Sequence, residues 1–212
     1  MLFRSQPERV RLIDHQPAAL ARWKTTFFVS FGAFIALALA AKLWGVLPGE
    51  PQLYHWMLGR ASPGVITVFW WVNQLGNKLV LAPAALLFIL AVSPVRRRWW
   101  LWIGVIVLAP LLEDLTKLAV GRPRPEGTAF GFPSGHVTGA AAFFPMAAYL
   151  VGKAVMNRRG RIGLWLGAAT LVLLVGIARI VLRAHWPVDV LGGAALGLAC
   201  VALAAWWNER SP

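Results

Sequence analysis

Long apolar runs, separated by short polar and basic stretches, dominate this chain of 212 residues. Six of them are each about 18 to 23 residues long. At about 1.5 Å of rise per residue, that is enough for a helix to cross the hydrocarbon core of a bilayer. They cover residues 25–47, 78–95, 99–119, 136–155, 162–182 and 188–207. Because backbone hydrogen bonds inside a bilayer are satisfied only in helices and closed barrels, these runs predict an all-α, polytopic membrane protein with six transmembrane helices.

The composition agrees with this prediction, since 58% of the residues are hydrophobic and only 14% are charged. The 12 tryptophans suit the interfaces of a bilayer. Residues 48–77 are broken by Pro and Gly and carry Trp, which predicts segments lying at the membrane surface. We expect one domain over 1–212, with 1–24 as a cytoplasmic N-terminal segment. A cleaved signal peptide is disfavoured because the polar segment is long and the first apolar run continues past its candidate cleavage site.

The net charge of +13 does not indicate a nucleic-acid-binding protein, because the basic residues cluster at the ends of apolar runs. With six spans both termini lie on one side, and the positive-inside rule makes that side the cytoplasm. Its bases are Arg4, Arg9, Arg11, Arg22, Lys24, Arg96, Arg97, Arg98, Lys153, Arg158, Arg159, Arg161 and Arg210. The single cysteine, Cys200, excludes an intrachain disulfide and a cysteine-rich metal site.

Three polar islands interrupt the apolar sequence at 117–125, 133–136 and 179–189. Together they contain several cations, two histidines, a carboxylate and a turn with glycine. These residue types are suited to binding a phosphate and attacking it with an imidazole.

Helix lengths predict that the islands meet at one depth. About eighteen residues of helix span roughly 27 Å, close to the thickness of the bilayer core. The stretches 99–117, 161–179 and 189–207 have this length, and 136–153 nearly so. A basic residue at a helix end is often only a snorkelling anchor, which accounts for Arg183 and could account for Arg122. It does not account for the whole set, because burying so many charges at one depth is costly.

The islands resemble those of the type 2 phosphatidic acid phosphatase superfamily, membrane lipid phosphatases that share a site with vanadium haloperoxidases. The family pattern is Lys, six residues, Arg-Pro; then Pro-Ser-Gly-His; then Ser-Arg, five residues, His, three residues, Asp. This chain has Lys117 and Arg124-Pro125, then 133–136, then Arg179, His185 and Asp189. One position departs, because Ala178 stands where the family usually has Ser. The resemblance implies a helical core like that of the phosphatases and haloperoxidases.

The resemblance also implies roles for the motif residues. His185 would be the nucleophile, Asp189 would hold its other ring nitrogen, and His136 would protonate the leaving group and then activate water. The phosphate-binding residues would be Lys117, Arg124, Ser134, Gly135 and Arg179. No cofactor and no metal is expected, because cations and amides can neutralise the phosphate and no HExxH-type spacing is present. Glu113 and Lys117 are spaced to pair on one helix face; with Asp114, Glu113 could orient Lys117, face a headgroup or simply lower the insertion cost.

The sequence therefore predicts a phosphatase of the cytoplasmic (inner) membrane of a bacterium, with its site facing the exterior. Its partners would be the bilayer and a lipid phosphate or diphosphate, with undecaprenyl diphosphate as the first choice from the family. Three alternatives stay open: a lipid-linked phosphotransferase that uses the same site, a non-enzymatic transporter of phosphate-bearing anions, and a catalytically inactive binding protein. Ala178 slightly favours the last of these, and the complete His185–Asp189 pair argues against it. Oligomeric state, headgroup and chain length do not follow from the sequence.

Overall fold

The computed structural model describes residues 6–155 and 157–210, with side chains described for 17–154 and 157–210. Within these ranges the chain forms nine helices and no strand, which confirms the all-α prediction. They are α1 (Gln6–Trp44), α2 (Glu50–Leu58), α3 (Pro63–Gln74), α4 (Lys78–Ala91), α5 (Ser93–Arg97), α6 (Trp99–Val120), α7 (Gly135–Val155), α8 (Arg158–Val181) and α9 (Pro187–Arg210).

Four helical segments are long and apolar enough to cross a membrane: Pro17–Trp44 of α1, Gly135–Ala154 of α7, and the whole of α8 and α9. The pair α3 and α4 meets the same criterion as one element bent by 45°, which gives up to five candidate spans among the described residues. Helix α6 coincides with the predicted run at 99–119 but is not among these candidates. The protein is therefore a membrane protein, and the count of six spans stays a prediction.

The predicted runs and the observed helices differ most in the first half of the chain. Helix α1 begins at Gln6, so most of the polar segment predicted at 1–24 is helical. The run predicted at 78–95 is divided between α4 and α5, since Pro94 cannot continue the hydrogen bonding of α4 and instead lies in the first turn of α5. The predicted surface stretch at 48–77 forms α2 and α3. The side chains of Arg4, Arg9 and Arg11 lie outside the described part of the chain.

Helices α7 and α9 form the most enclosed part of the bundle, and α1, α6 and α8 pack around them. Glycine allows α9 to lie directly against α7, because a Cβ atom at Gly197 would come within 2.6 Å of the Ala141 Cβ atom. The same holds at Gly193, where a Cβ atom would lie 2.6 Å from the backbone oxygen of Ser134. Small residues of this kind permit close helix contacts in membranes. The contact places the start of α9 beside the turn that leads into α7.

Candidate functional site

All the predicted site residues lie at one end of the bundle, where α6 and α8 end and α7 and α9 begin. Lys117 is in the last turn of α6, Arg124 is in the following loop, Ser134, Gly135 and His136 begin α7, Arg179 ends α8, His185 lies between α8 and α9, and Asp189 is in the first turn of α9. The convergence that helix lengths predict is therefore present in the structure.

Backbone hydrogen bonds join the island at 133–136 to the island at 179–189, and also fold the latter back on itself. The N–H of Ser134 donates to the carbonyl of Asp189 at 2.9 Å, which ties the start of α7 to α9. The N–H groups of Ala184 and His185 donate to the carbonyl of Arg179 at 3.0 and 3.2 Å. The chain after α8 thus folds back on the last turn of that helix, and His185 is carried toward the start of α7.

His185 and Asp189 form a buried pair. The Nδ1 atom of His185 lies 3.3 Å from Oδ2 of Asp189, which also accepts a hydrogen bond from the N–H of Trp186 at 3.0 Å. The two side chains are 1% and 0% exposed. Burial lowers the pKa of His185 to about 4, a hydrogen bond with Asp189 acts in the opposite sense, and the charge of Arg179 adds to the lowering. At neutral pH the ring is therefore uncharged, and a proton on Nδ1 held by Asp189 leaves the lone pair on Nε2.

The second imidazole, His136, belongs to the same site. Its ring interacts electrostatically with Arg179, Arg124, Lys117 and His185. These five groups come from α6, α7, α8, the loop after α6 and the α8–α9 connection. The structure therefore brings both histidines and the three predicted phosphate-binding cations close enough to interact through their charges.

The two arginines of the site are held differently. Arg179 is buried, and its Nη1 donates to Oδ1 of Asn73 on α3 at 2.7 Å. Arg124 is half-buried, and its Nε donates to the carbonyl of Phe130 at 3.2 Å. Among the described residues, no protein group accepts a hydrogen bond from the two terminal nitrogens of Arg124. Those two nitrogens are the pair that a phosphate binds as a fork.

Ser134 and Gly135 complete the turn into α7. The Ser134 hydroxyl is buried and has no hydrogen-bond partner within the described part of the chain. A buried hydroxyl is normally hydrogen-bonded, so an unpaired one beside several cations fits an anionic oxygen atom. Gly135 packs closely against Glu113, because a Cβ atom there would lie 2.6 Å from Oε1 of that side chain.

Glu113 lies beneath this turn and binds two lysines. Its side chain is 0% exposed, and it forms an ion pair with Lys117, as the i, i+4 spacing predicts, and a second with Lys78 at 3.0 Å. Asp114 is exposed and lies 3.5 Å from the ammonium of Lys78. Glu113 therefore orients Lys117 and supports Gly135, whereas Asp114 contacts neither.

Two residues that sequence reasoning missed, Arg122 and Glu50, belong to the same site. Arg122, interpreted from the sequence as a possible snorkelling anchor, is buried and forms ion pairs with Asp189, at 2.7 Å, and with Glu50. That interpretation is wrong because Gly121 ends α6 in the left-handed conformation, at a φ of 67°, and the chain then turns inward. Arg183 does fit an anchor, since its side chain is 58% exposed and pairs with Glu126 at 3.3 Å.

The sequence contains only weak signals for Arg122 and Glu50. The chain has eight acidic residues, so any carboxylate in it is unusual, and Glu50 stands in a Pro/Gly turn that favours a helix start. Nothing in the pattern links Glu50 to Arg122, 72 positions later.

Ala178, which departs from the family pattern, is fully buried in α8. Among the described residues, no three His, Cys, Asp or Glu side chains are arranged to hold a metal ion.

Comparison with known proteins agrees with the motifs. The family model described as PAP2 superfamily matches residues 98–212, more than half of the chain. Phosphatidylglycerophosphatase B of Bacillus subtilis (strain 168) is 28% identical over 187 residues, covering 84% of this chain and 92% of that protein. Lipid A 1-phosphatase of Rhizobium johnstonii is 33% identical over 117 residues, covering 45% of this chain and 44% of that protein.

Two solved structures resemble most of the chain. The crystal structure of a transmembrane PAP2 type phosphatidylglycerolphosphate phosphatase from Bacillus subtilis has a TM-score of 0.81 and 26% identity, covering 88% of this chain and 98% of that one. The structure of Aquifex aeolicus LpxE has a TM-score of 0.56 and 20% identity, covering 76% and 97%, and supports the fold alone. With the three motifs gathered at one end of a helical membrane bundle, these matches show that the chain belongs to the PAP2 superfamily, as a membrane lipid phosphatase.

Proposed function

We propose that this protein hydrolyses a lipid phosphate or diphosphate through a phosphohistidine intermediate formed on His185. The observation that supports this most is the buried His185–Asp189 pair, with Nδ1 3.3 Å from the carboxylate, within electrostatic range of Arg179 and Arg124. A neutral imidazole oriented in this way has its nucleophilic lone pair on Nε2. The proposal treats residues 1–212 as a single catalytic domain.

The phosphate would be bound by charge and by hydrogen bonds from five residues. Lys117, Arg124 and Arg179 neutralise a dianion, and the fork of Arg124 can donate to two oxygens at once. The Ser134 hydroxyl and the first amides of α7, from Gly135 onward, add donors, because the first turn of a helix leaves its N–H groups without intrahelical acceptors. No metal is required, since these groups supply the charge that a metal ion would supply.

The reaction then proceeds in two displacements. Nε2 of His185 attacks phosphorus, the bond from phosphorus to the leaving oxygen breaks, and the protonated ring of His136 gives that oxygen a proton and becomes neutral. Asp189 stabilises the charged ring of the phosphohistidine. In the second step His136 takes a proton from water, the water oxygen attacks phosphorus, and the phosphorus–nitrogen bond breaks, which restores the neutral imidazole.

The relatives bear on the choice of substrate. The protein that aligns over most of this chain is named for phosphatidylglycerol phosphate, and the shorter matches are named for lipid A. We therefore rank phosphatidylglycerol phosphate first, with undecaprenyl diphosphate, the first choice from the family resemblance, as the second candidate. The positive-inside distribution of bases supports a location in the inner membrane, with the site on its outer face.

Phosphate release from a panel of lipids tests this proposal. Purified protein in detergent with a chelator is given phosphatidylglycerol phosphate, phosphatidic acid, undecaprenyl diphosphate and lipid A, and wild type is compared with His185→Ala and His136→Ala. We expect chelator-resistant release by wild type and a loss of at least about 1,000-fold in His185→Ala. Acid-labile 32P attached to His136→Ala but not to His185→Ala would support the intermediate. Full turnover by His185→Ala would disprove the assignment of the nucleophile.

A further inference from the structure

The guanidinium of Arg122 lies between two buried carboxylates. Its Nη1 donates to Oδ1 of Asp189 at 2.7 Å, and its Nη2 donates to Oε2 of Glu50. The side chains of Arg122, Asp189 and Glu50 are 0%, 0% and 5% exposed. Each carboxylate thus receives one arm of the fork.

Glu50 is itself fixed on three sides. Its Oε1 atom accepts a hydrogen bond from the N–H of Val188, at the start of α9, at 2.8 Å. Its Oε2 atom accepts from the N–H of Leu47 at 2.7 Å, in addition to Arg122. The first residue of α2 therefore holds both Arg122 and the backbone next to Asp189.

This arrangement divides the oxygens of Asp189 between two tasks. Oδ1 binds Arg122, and Oδ2 is left for Nδ1 of His185 and the N–H of Trp186. An arginine with no second partner tends to bind both oxygens of a carboxylate through two parallel N–H donors. It would then compete with His185 for Oδ2 and reduce the negative charge that the ring receives.

Stability alone is a weak reason for such a cluster. Removing three charges from water costs several kcal/mol per ion, and well-packed apolar residues often replace a buried ion pair without loss. One cation between two carboxylates also leaves a net negative charge in the buried interior. That charge is useful only where a positive charge develops nearby, as it does on His185 when phosphohistidine forms.

We propose that Glu50 and Arg122 are positioning residues that hold Asp189 in the orientation that stabilises the charged ring of His185. This inference depends on the proposed function, because it assigns them to a reaction in which His185 carries the phosphoryl group. Neither residue is among those proposed to bind the phosphate. Their substitution therefore lowers kcat and leaves KM unchanged, since the interaction they support grows in the transition state and is absent from substrate binding.

The test compares Glu50→Gln, Asp189→Asn and the double variant in the phosphate-release assay. We expect Glu50→Gln to lower kcat by about 10- to 100-fold, by analogy with the loss of an outer hydrogen-bond partner of a metal-binding imidazole. In the Asp189→Asn background the same substitution should cause no further loss, because Glu50 acts only through Asp189. Arg122→Lys repeats the test should Glu50→Gln fail to fold, and it should retain more activity than Arg122→Gln.

Glu209→Gln is the matched control. Glu209 is 10% exposed and pairs with Lys153 at the opposite end of α9, so its loss reports the general cost of removing an enclosed carboxylate. Its kcat should equal that of wild type. A normal kcat in folded Glu50→Gln, or a full additional loss in the Asp189→Asn background, would overturn the inference. Activity retained by His185→Ala would instead overturn the proposed function.

Discussion

His185 lies among groups of both signs, and its protonation state follows from their balance. Asp189 favours the charged ring, whereas Arg179, Arg124 and above all burial oppose it. The ring is thus neutral and nucleophilic throughout the physiological pH range, and proton uptake competes with it only in acid. A neutral nucleophile beside a carboxylate is the arrangement expected where charge appears on the ring during the reaction.

This balance predicts an acid-shifted titration. NMR can follow the titration in protein whose four histidines are isotope-labelled. The signal of His185 is the one that disappears in His185→Gln, and it should titrate near pH 4, below the ordinary value of about 6.5. Asp189→Asn should lower this pKa further, since the carboxylate raises it. As pH falls from about 6.5 to 4, unfolded chains take up a proton that folded ones do not, so folding stability should fall in that window. A titration near 6.5 in the folded protein would contradict the burial of the ring.

Gly135 gives a second prediction at the residue scale. An added Cβ atom would lie 2.6 Å from Oε1 of Glu113, so the carboxylate must move and release Lys117. Misplacement of a binding group by about 1 Å can cost about 100-fold in rate, and we expect a fall of that order in kcat/KM for Gly135→Ala. Gly163→Ala is the control, because nothing lies within 4 Å of the Cβ position there. Equal kcat/KM in the two variants would contradict the packing argument.

At the scale of helices, the contact of α7 with α9 determines where the site forms. Ser134 and Asp189 belong to opposite partners of this contact, and their backbones are hydrogen-bonded. Glycines of α9 let the two helices approach without a shift of register. The geometry of the catalytic groups is therefore set by packing deep in the bundle as well as by the loops that carry them.

The contact can be tested by overpacking. A Cβ atom at Gly197 would approach Ala141 Cβ to 2.6 Å and the carbonyl of Thr138 to 2.7 Å, whereas Gly167 of α8 has nothing within 4 Å. We expect Gly197→Ala to destabilise the protein by about 1–3 kcal/mol, measured by thermal unfolding in detergent. Gly167→Ala should be neutral or stabilising, because alanine favours a helix. The opposite order would show that α7 and α9 are less closely packed.

The sequence predicts these helices well and the earlier ones poorly. The bounds of α6 to α9 lie within about four residues of the predicted runs, because each run is long enough for its apolar content to indicate a helix. From α2 to α5 the runs are short and broken by proline, so surface segment, bent span and helix cannot be separated by apolar content. The Glu50–Arg122 pair could not be predicted because it is a tertiary contact between two turns.

At the scale of the whole molecule, charge distribution and site location are coupled. The polar ends of α6 to α9 that carry the site lie opposite the ends that carry Arg98, Lys153 and Arg210. By the positive-inside rule we predict that the site lies at the outer leaflet, where it would meet the headgroup of a lipid phosphate. If the protein were inserted in the reverse orientation, the site would face the cytoplasm and the basic ends of the helices would face the exterior.

Thiol labelling of intact cells tests this orientation. The native Cys200 is buried, at 4% exposure, so background labelling is low. A cysteine at Asp114, whose side chain is 62% exposed beside the site, should react with a membrane-impermeant maleimide in intact cells. A cysteine at Arg97, exposed at the other end of the bundle, should react only after permeabilisation. Arg97 lies in α5, just before the start of α6, and Asp114 lies toward the other end of α6. The reverse labelling pattern would therefore place the phosphatase site in the cytoplasm. Labelling of both cysteines in intact cells would contradict a single orientation.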